Sequence, residues 1–240
     1  MPLHLLDKPS QNDFYEPRVL GRVFKRGNSV GLGGWIETNN AKKYSGYAEL
    51  FDRKYFNFYN VNLSQLNFSH KYRFNSKFSI RHSMDINSAN NGLGFTTILE
   101  DKSIFAIRKV KSIDNTLNLK YSFTNKMGLT FRARHYGSIV KNKEFYELNM
   151  DGTLKNRTDI NQNLDRNVNY FNIDMVYTWQ FATGSFMNVV WKNATVHSSD
   201  KAQVRYFDNI QNTLQAEQNN NLSLKLIYFL DYLTLKKILK

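Results

Sequence analysis

The feature that most constrains this chain is the alternation of apolar with mainly polar residues within positions 169–195. The apolar members of two successive runs are Phe171, Ile173, Met175, Tyr177, Trp179 and Phe181, then Met187, Val189 and Trp191. Alternation with period two places such residues on one face of a β-strand, whereas on a helix they would be spread around the axis. Because the runs are separated by a Gly-containing turn at 182–184, they predict a β-hairpin.

The same pattern recurs along the chain. Further hairpins are predicted around turns at 75–76 and 124–126, with strands also at 29–38, 43–51 and 222–232. Longer polar stretches, predicted as loops, lie at 87–102, 137–167 and 196–220. Short and long connections would then alternate strictly. Soluble sandwiches follow no such rule, whereas outer-membrane barrels have short turns on one rim and long loops on the other.

The predicted fold class is therefore all-β: an antiparallel up-and-down transmembrane β-barrel of about 8–10 strands, either complete or part of a larger barrel. A sheet exposed to lipid must close on itself, because an open edge leaves backbone groups unpaired in hydrocarbon. Residues 1–28 are predicted to be a poorly structured segment or a remnant strand, since they contain all three prolines and little alternation. Residues 29–237 form the predicted barrel region.

The amino-acid composition agrees with a protein whose surface is partly exposed to water and partly in contact with an apolar environment. Aromatic residues reach 15% although the mean hydropathy is −0.54. The absence of cysteine excludes disulfides and thiolate metal sites, and no apolar run of about 18 residues predicts a transmembrane helix. The net charge of +13 is compatible with an anionic partner. The basic residues are spread over the strands rather than clustered, which favours a solvated face.

Charged residues occupy the polar phase of the alternation. Placing such a charge against lipid would cost about 2–4 kcal/mol near the bilayer midplane, so this face is predicted to line the lumen. The predicted lumen-facing residues are Lys71, Arg73, Arg81, Asp85, Lys120, Arg132, Arg134, Asp174, Lys192 and Lys225.

Aromatic residues collect beside the short turns. Girdles of aromatic side chains mark the interfaces of membrane barrels, because these side chains combine an apolar body with a polar end. Ordinary strand-end aromatics of a soluble sheet are the alternative. The predicted periplasmic girdle consists of Tyr72, Phe74, Phe78, Tyr121, Phe123, Trp179, Phe181 and Phe186.

The last predicted strand alternates in the same way. Its apolar members are Leu222, Leu224, Leu226, Tyr228, Leu230 and Tyr232. A terminal strand of this kind is predicted to be an assembly signal that the barrel assembly machinery binds by strand pairing at an exposed edge. All short turns fall on the rim where this strand ends, so the C-terminus is predicted to be periplasmic.

Four segments carry a family resemblance: LKYSFTNKMGLTFRARHYGS (119–138), KEFYELNMDG (143–152), YFNIDMVYTWQFATGSFMNVVWKN (170–193) and LSLKLIYFLDYLTLKK (222–237). They resemble the C-terminal barrel of domain-of-unknown-function family 5916, from Gram-negative outer membranes, and DFYEPR at 13–18 is similar too. The resemblance implies an outer-membrane location. It also implies a preceding domain similar to carbohydrate-binding module family 9, absent here, through which glycans would bind. The chain then corresponds to the C-terminal part of such a protein.

Candidate chemistry is sparse. The five histidines have no metal-ligand spacing. His135 with Ser138, or His82 with Asp85, are the nearest approach to a hydrolytic constellation, and such neighbours arise by chance. The glycines at 31–34 indicate a close backbone approach rather than a phosphate loop. The 151–166 stretch reads as a solvated loop more than a calcium site. We therefore predict no catalytic residue, cofactor or metal, and no enzyme.

The sequence thus favours an outer-membrane barrel segment that serves as an anchor, a pore or a transporter wall. The alternative is a soluble basic all-β module that binds nucleic acid or acidic glycans through aromatic and basic side chains. Such a module needs both kinds of side chain on one face, whereas here they segregate. The expected partners are therefore membrane lipid and the assembly machinery, not nucleic acid.

Overall fold

The computed structural model describes residues 3–56 and 59–230, and most of them are in strands. The strands are β1 (Leu3–Lys8), β2 (Gln11–Asp13), β3 (Phe24–Arg26), β4 (Ser29–Glu37), β5 (Tyr44–Tyr55), β6 (Asn62–Arg73), β7 (Phe78–Leu99), β8 (Lys102–Thr124), β9 (Met127–Leu148), β10 (Leu154–Arg157), β11 (Arg166–Ala182), β12 (Ser185–Ser199) and β13 (Gln218–Ile227). One helix, α1 (Tyr206–Gln215), lies between β12 and β13.

Ten strands form one antiparallel path in the order β1-β4-β5-β6-β7-β8-β9-β11-β12-β13. β10 pairs with β9 beside this path, and β2 and β3 form a separate ribbon. The all-β antiparallel architecture predicted from the sequence is therefore confirmed. Within the described residues β1 and β13 are not paired with each other, so the sheet is open between them.

One rim of the sheet carries the short connections, and we call it the turn rim. Its turns are 38–43, 74–77, 125–126 and 183–184, and β13 also ends there. Local chemistry explains two of them. The Asn75 side-chain carbonyl accepts the backbone N–H groups of Lys77 and Phe78, both at 2.8 Å. Gly184 has φ +73°, a conformation that costs glycine little.

The opposite rim, the loop rim, differs from the prediction. The stretch 87–102 is not a loop: β7 runs to Leu99, β8 begins at Lys102, and only Glu100 and Asp101 connect them, both with positive φ. Much of 137–167 and 196–220 is likewise strand or helix. Short and long connections therefore do not alternate strictly. These strand ends escape the alternation pattern because they mix polar and apolar residues on both faces, while neighbouring strands satisfy their backbone groups.

The described part of the chain has a small hydrophobic core at the loop rim. Phe24 from β3 is 5% exposed, and its ring centroid lies 4.9 Å from that of Phe105 in β8. Leu148 at the end of β9 completes the cluster. The N-terminal residues, predicted to be irregular or a remnant strand, thus contribute β1 to the sheet edge and a ribbon that packs against the long strands.

Helix α1 packs on β9, β11 and β12 near the loop rim. Its buried residues are polar: Asn209 and Thr213. Among the described residues, no helix has both the length and the apolar character needed to cross a membrane.

Candidate functional surfaces

The strand register divides the sheet into two chemically different faces. Directly opposed residues on neighbouring strands share a face. One cross-strand row links Lys71, Arg81, Asn118, Arg132, Asp174 and Lys192. We call the face that bears this row the charged face. The row continues to Asn221 of β13. Each of the other five predicted lumen residues lies two or four positions along its strand from a member of this extended row: Arg73, Asp85, Lys120, Arg134 and Lys225. All ten predicted lumen residues therefore lie on the charged face.

The opposite, apolar face is continuous across the long strands. One of its rows links Tyr72, Ile80, Leu119, Phe131, Met175, Trp191 and Leu222. In the described chain α1 contacts its loop-rim end, where Phe24 of the β2–β3 ribbon also packs on Phe105, but no second sheet is layered over the rest of this face. Leu222 and Leu226 are 74% and 63% exposed. A large uncovered apolar surface of this kind is unusual for a soluble protein and marks an interaction surface.

Aromatic rings follow the turn-rim edge of the apolar face. One chain of ring contacts, with centroids 4.7–6.2 Å apart, runs Tyr72, Phe74, Phe78, Tyr121, Phe123, Tyr177. A second runs Trp179, Phe181, Tyr228. Tyr177 was not among the predicted girdle residues, although it has the same phase as Trp179.

Phe186 does not belong to this aromatic edge. It pairs with Gln180 and Ile227, whose phase is that of Lys225 on the charged face. Its assignment to the girdle from proximity to the turn is therefore wrong. Successive side chains of a strand point to opposite faces, so Met187, four positions from Trp191, lies on the apolar face and Phe186 lies on the charged face.

The apolar band crosses the hydrogen-bonded rows obliquely. Ile36, the last apolar-face residue of β4, lies in the same cross-strand row as Thr195 of β12. The first apolar side chain on this face of β12 is Met187, so the start of the apolar band shifts by eight residues over the seven steps from β4 to β12. The strands are therefore staggered progressively across the sheet.

The N-terminal segment 9–28 lies against the loop-rim end of the sheet and contacts residues of both phases of β8. Glu16 contacts Arg108 of β8 at 3.5 Å and accepts the Phe95 backbone N–H at 3.0 Å. The Ser103 hydroxyl donates to the Pro17 carbonyl at 2.7 Å. A cavity of about 210 Å³ remains between this segment and the sheet. The segment thus covers part of the loop-rim end of the sheet.

An ion pair stabilises this segment internally. Arg26 Nε lies 2.7 Å from the Asp13 carboxylate. Burial alone would raise the pKa of Asp13, but hydrogen bonds from the Glu16 and Tyr15 backbone N–H groups and from Arg26 hold that pKa below its ordinary value. Asp13 therefore favours the docked conformation while it is ionised.

The predicted chemical pairs do not assemble. His82 and His135 lie on the apolar face, whereas Asp85 and Ser138 have the opposite phase. His82 instead opposes His70, with ring centroids 5.1 Å apart. Neither nearby pair can therefore act as a hydrolytic constellation.

Two other sequence expectations are refined. In the 151–166 stretch the Asp151 carboxylate accepts hydrogen bonds from the Thr153 N–H and hydroxyl. The described residues contain no group of three or more His, Asp or Glu that could hold a metal.

Gly31 and Gly33 of β4 leave room for the ring of Phe51, because an added Cβ at either position would lie 2.6 Å from that ring. The close approach there is mainly that of a side chain rather than backbone.

The predicted assembly-signal strand is only partly described. Leu222, Leu224 and Leu226 lie on the apolar face of β13 and are exposed. Tyr228 and Leu230 follow the last residue of β13. Tyr232 lies outside the described residues. Along β13 the backbone edge opposite β12 has no partner in the described chain.

These surfaces define a single-layer antiparallel β-sheet protein with segregated charged and apolar faces. The chain matches the family described as "Domain of unknown function (DUF5916)" over residues 4–239 and therefore belongs to it. No curated protein and no solved structure matches the chain.

Proposed function

We propose that this chain is an outer-membrane β-barrel segment of a Gram-negative bacterium. It acts as a membrane anchor, a pore or a transporter wall and is not catalytic. The apolar face meets lipid acyl chains, the charged face lines the lumen, and the turn rim with the C-terminal strand is periplasmic.

The observation that carries this proposal is the uncovered apolar face. Leu119, Phe131, Ile173 and Leu226 lie on it, and in the described residues no sheet or helix of this chain forms a layer over them. Burying apolar surface contributes roughly 25 cal/mol per Å². An acyl-chain environment buries the whole face at once, whereas water leaves it exposed.

The stagger of the strands supports a barrel. Eight residues at ~3.3 Å each across seven steps of ~4.8 Å correspond to a strand tilt of roughly 40°. Transmembrane barrels have strands tilted by about 35–45°. When the strands are tilted by this angle, the apolar band, which crosses the cross-strand rows obliquely, runs parallel to the plane of the bilayer.

The edges of the sheet are compatible with closure. The path contains an even number of strands, ten, so its first and last strands run in opposite directions. Bacterial barrels have even strand numbers and close antiparallel. Pairing β1 with β13 would satisfy the backbone groups that an open edge exposes in hydrocarbon.

Two partners follow from this proposal. The barrel assembly machinery would pair with the free edge of β13. Glycans would bind through a separate N-terminal domain of the kind that the family resemblance implies. The soluble nucleic-acid-binding alternative receives less support, because the aromatic chain and the row of Lys and Arg lie on opposite faces.

The three tryptophans test which face meets lipid. Trp179 and Trp191 lie on the apolar face, whereas Trp35 opposes Glu49 on the charged face. Variants that retain one tryptophan, with the others changed to Phe, are folded into vesicles whose acyl chains are brominated. We expect strong quenching of Trp191 fluorescence, intermediate quenching of Trp179 and little quenching of Trp35.

Trp35 is the matched control, because it and Trp179 both lie close to the turn rim but on different faces. Equal quenching of all three would contradict the assigned facing. A monodisperse protein that needs neither detergent nor lipid would contradict the membrane assignment.

A further inference from the structure

We propose that the turn-rim half of the charged face contains a binding site for multivalent oxyanions of the phosphate type. The site, called here the basic recess, is defined by Lys71, Arg81, Lys120 and Arg132. It goes beyond the proposed function, because an anchor or passive pore needs no ligand site.

The four cations belong to four adjacent strands, β6 to β9. Lys71 opposes Arg81, and Asn118 lies between Arg81 and Arg132 in the same row. Lys120 is two residues from Asn118, so it is diagonal to both arginines on the same face. Together they line a recess of about 490 Å³ that also includes Ser79 and Thr130.

These cations have little internal compensation. In the described part of the chain none of the four forms an ion pair within 4.0 Å. The single carboxylate that lines the recess, Asp174, lies 4.0 Å from Lys192 instead.

Two nearby acids on the same face have other partners. Asp114 pairs with Arg134, and Glu49 accepts hydrogen bonds from Asn67 and Tyr47. Arg73, the next cation toward the turn rim, donates to the backbone carbonyls of Asn40 and Ala41. The recess therefore keeps an excess of positive charge.

This excess points to an anionic ligand. Like charges on neighbouring strands repel, and an anion between them offsets that repulsion. The planar guanidinium groups of Arg81 and Arg132 suit bidentate contacts to an oxyanion, and Lys71 and Lys120 add point charges. Since four cations surround one recess, a ligand with several negative charges gains more than a monovalent ion.

Pyrophosphate titrated into the detergent-solubilised protein, followed by calorimetry, tests the site. We compare the triple variant Arg81→Gln, Lys120→Gln, Arg132→Gln with the control Lys109→Gln, Lys111→Gln, Lys141→Gln. The control removes the same net charge from exposed positions of the apolar phase near the loop rim. We expect at least tenfold weaker pyrophosphate binding in the recess variant, nearly unchanged binding in the control, and much weaker binding of acetate.

Asp174→Asn provides a test that misfolding cannot imitate. Removing the one carboxylate that lines the recess should tighten pyrophosphate binding several-fold. Equal losses in both triple variants, no tightening in Asp174→Asn, or equal affinity for acetate would each overturn the proposal. Tryptophan quenching by brominated lipid reports on the membrane assignment separately, so the two proposals fail independently.

Discussion

At the scale of single residues, Phe24 explains how the N-terminal segment is attached to the sheet. Its side chain is almost fully buried against Phe105 and Leu148, whereas Phe14 in the same segment is 66% exposed. No sequence pattern indicates this contact, because residues 1–28 lack alternation. A single buried ring in a short ribbon produces no periodic pattern.

Phe24→Ala is expected to release residues 9–28 from the sheet. Truncating a buried Phe costs about 3–5 kcal/mol, and few other apolar contacts hold this segment. Trypsin should then cleave faster after Arg18, Arg22 and Lys25 while the sheet persists by circular dichroism. Phe14→Ala is the control and should leave the cleavage rate unchanged. Equal cleavage of the two variants would mean that the segment is held by other contacts.

At the scale of elements, α1 is held to the sheet by polar contacts. The Asn167 side-chain amide donates to the Asn209 side-chain carbonyl at 2.8 Å, and the Asn169 amide donates to Asn167 at 2.8 Å. All three asparagines are buried. The sequence analysis predicts a loop at 196–220, because this stretch is polar overall; the helical spacing of Tyr206, Ile210 and Leu214 is the signal that could have revealed α1.

Asn209→Ala is expected to loosen α1. It removes a buried hydrogen bond and leaves the Asn167 amide without that acceptor, which costs about 1–3 kcal/mol. Amide hydrogen exchange across 206–215 should accelerate, with little change in β11. Asn212→Ala removes the same side chain from an exposed position of the helix and is the matched control. Unchanged exchange in Asn209→Ala would show that other contacts of α1 suffice.

At the scale of the whole molecule, an open sheet and a closed barrel differ in the environment of β13. β13 is exposed along its whole length in the described chain, and its free edge is the place where closure would occur. In an open antiparallel edge strand only alternate backbone N–H groups are hydrogen-bonded to the neighbour.

Residue-resolved amide exchange in lipid should distinguish these states. We expect the amides of 218–227 to be protected uniformly, because β1 would bond those that β12 leaves free. Interior strand β9 provides the reference for full protection. Protection that alternates along β13 would indicate an open edge and would argue against closure by this chain alone.

The sequence by itself determined that alternating strands form around the turns at 75–76, 124–126 and 182–184, and which way most of their side chains face. The alternation in β11 and β12 predicts that Asp174 and Lys192 lie on one face and that Met175 and Trp191 lie on the other. The strand register agrees with this prediction, because Asp174 opposes Lys192 and Met175 opposes Trp191. Facing follows from the period of two, which is a local property of the chain. Phe186 was misassigned when proximity to a turn was given more weight than phase.

Only the tertiary structure decided the rest. The basic recess requires Lys71 and Arg132, sixty-one positions apart, to meet through the register of four strands. The docking of Phe24 and α1 and the extension of β7 and β8 to the loop rim likewise depend on distant partners. Polar strands and short helices take their stability from neighbours rather than from their own periodicity, so the local sequence carries little trace of them.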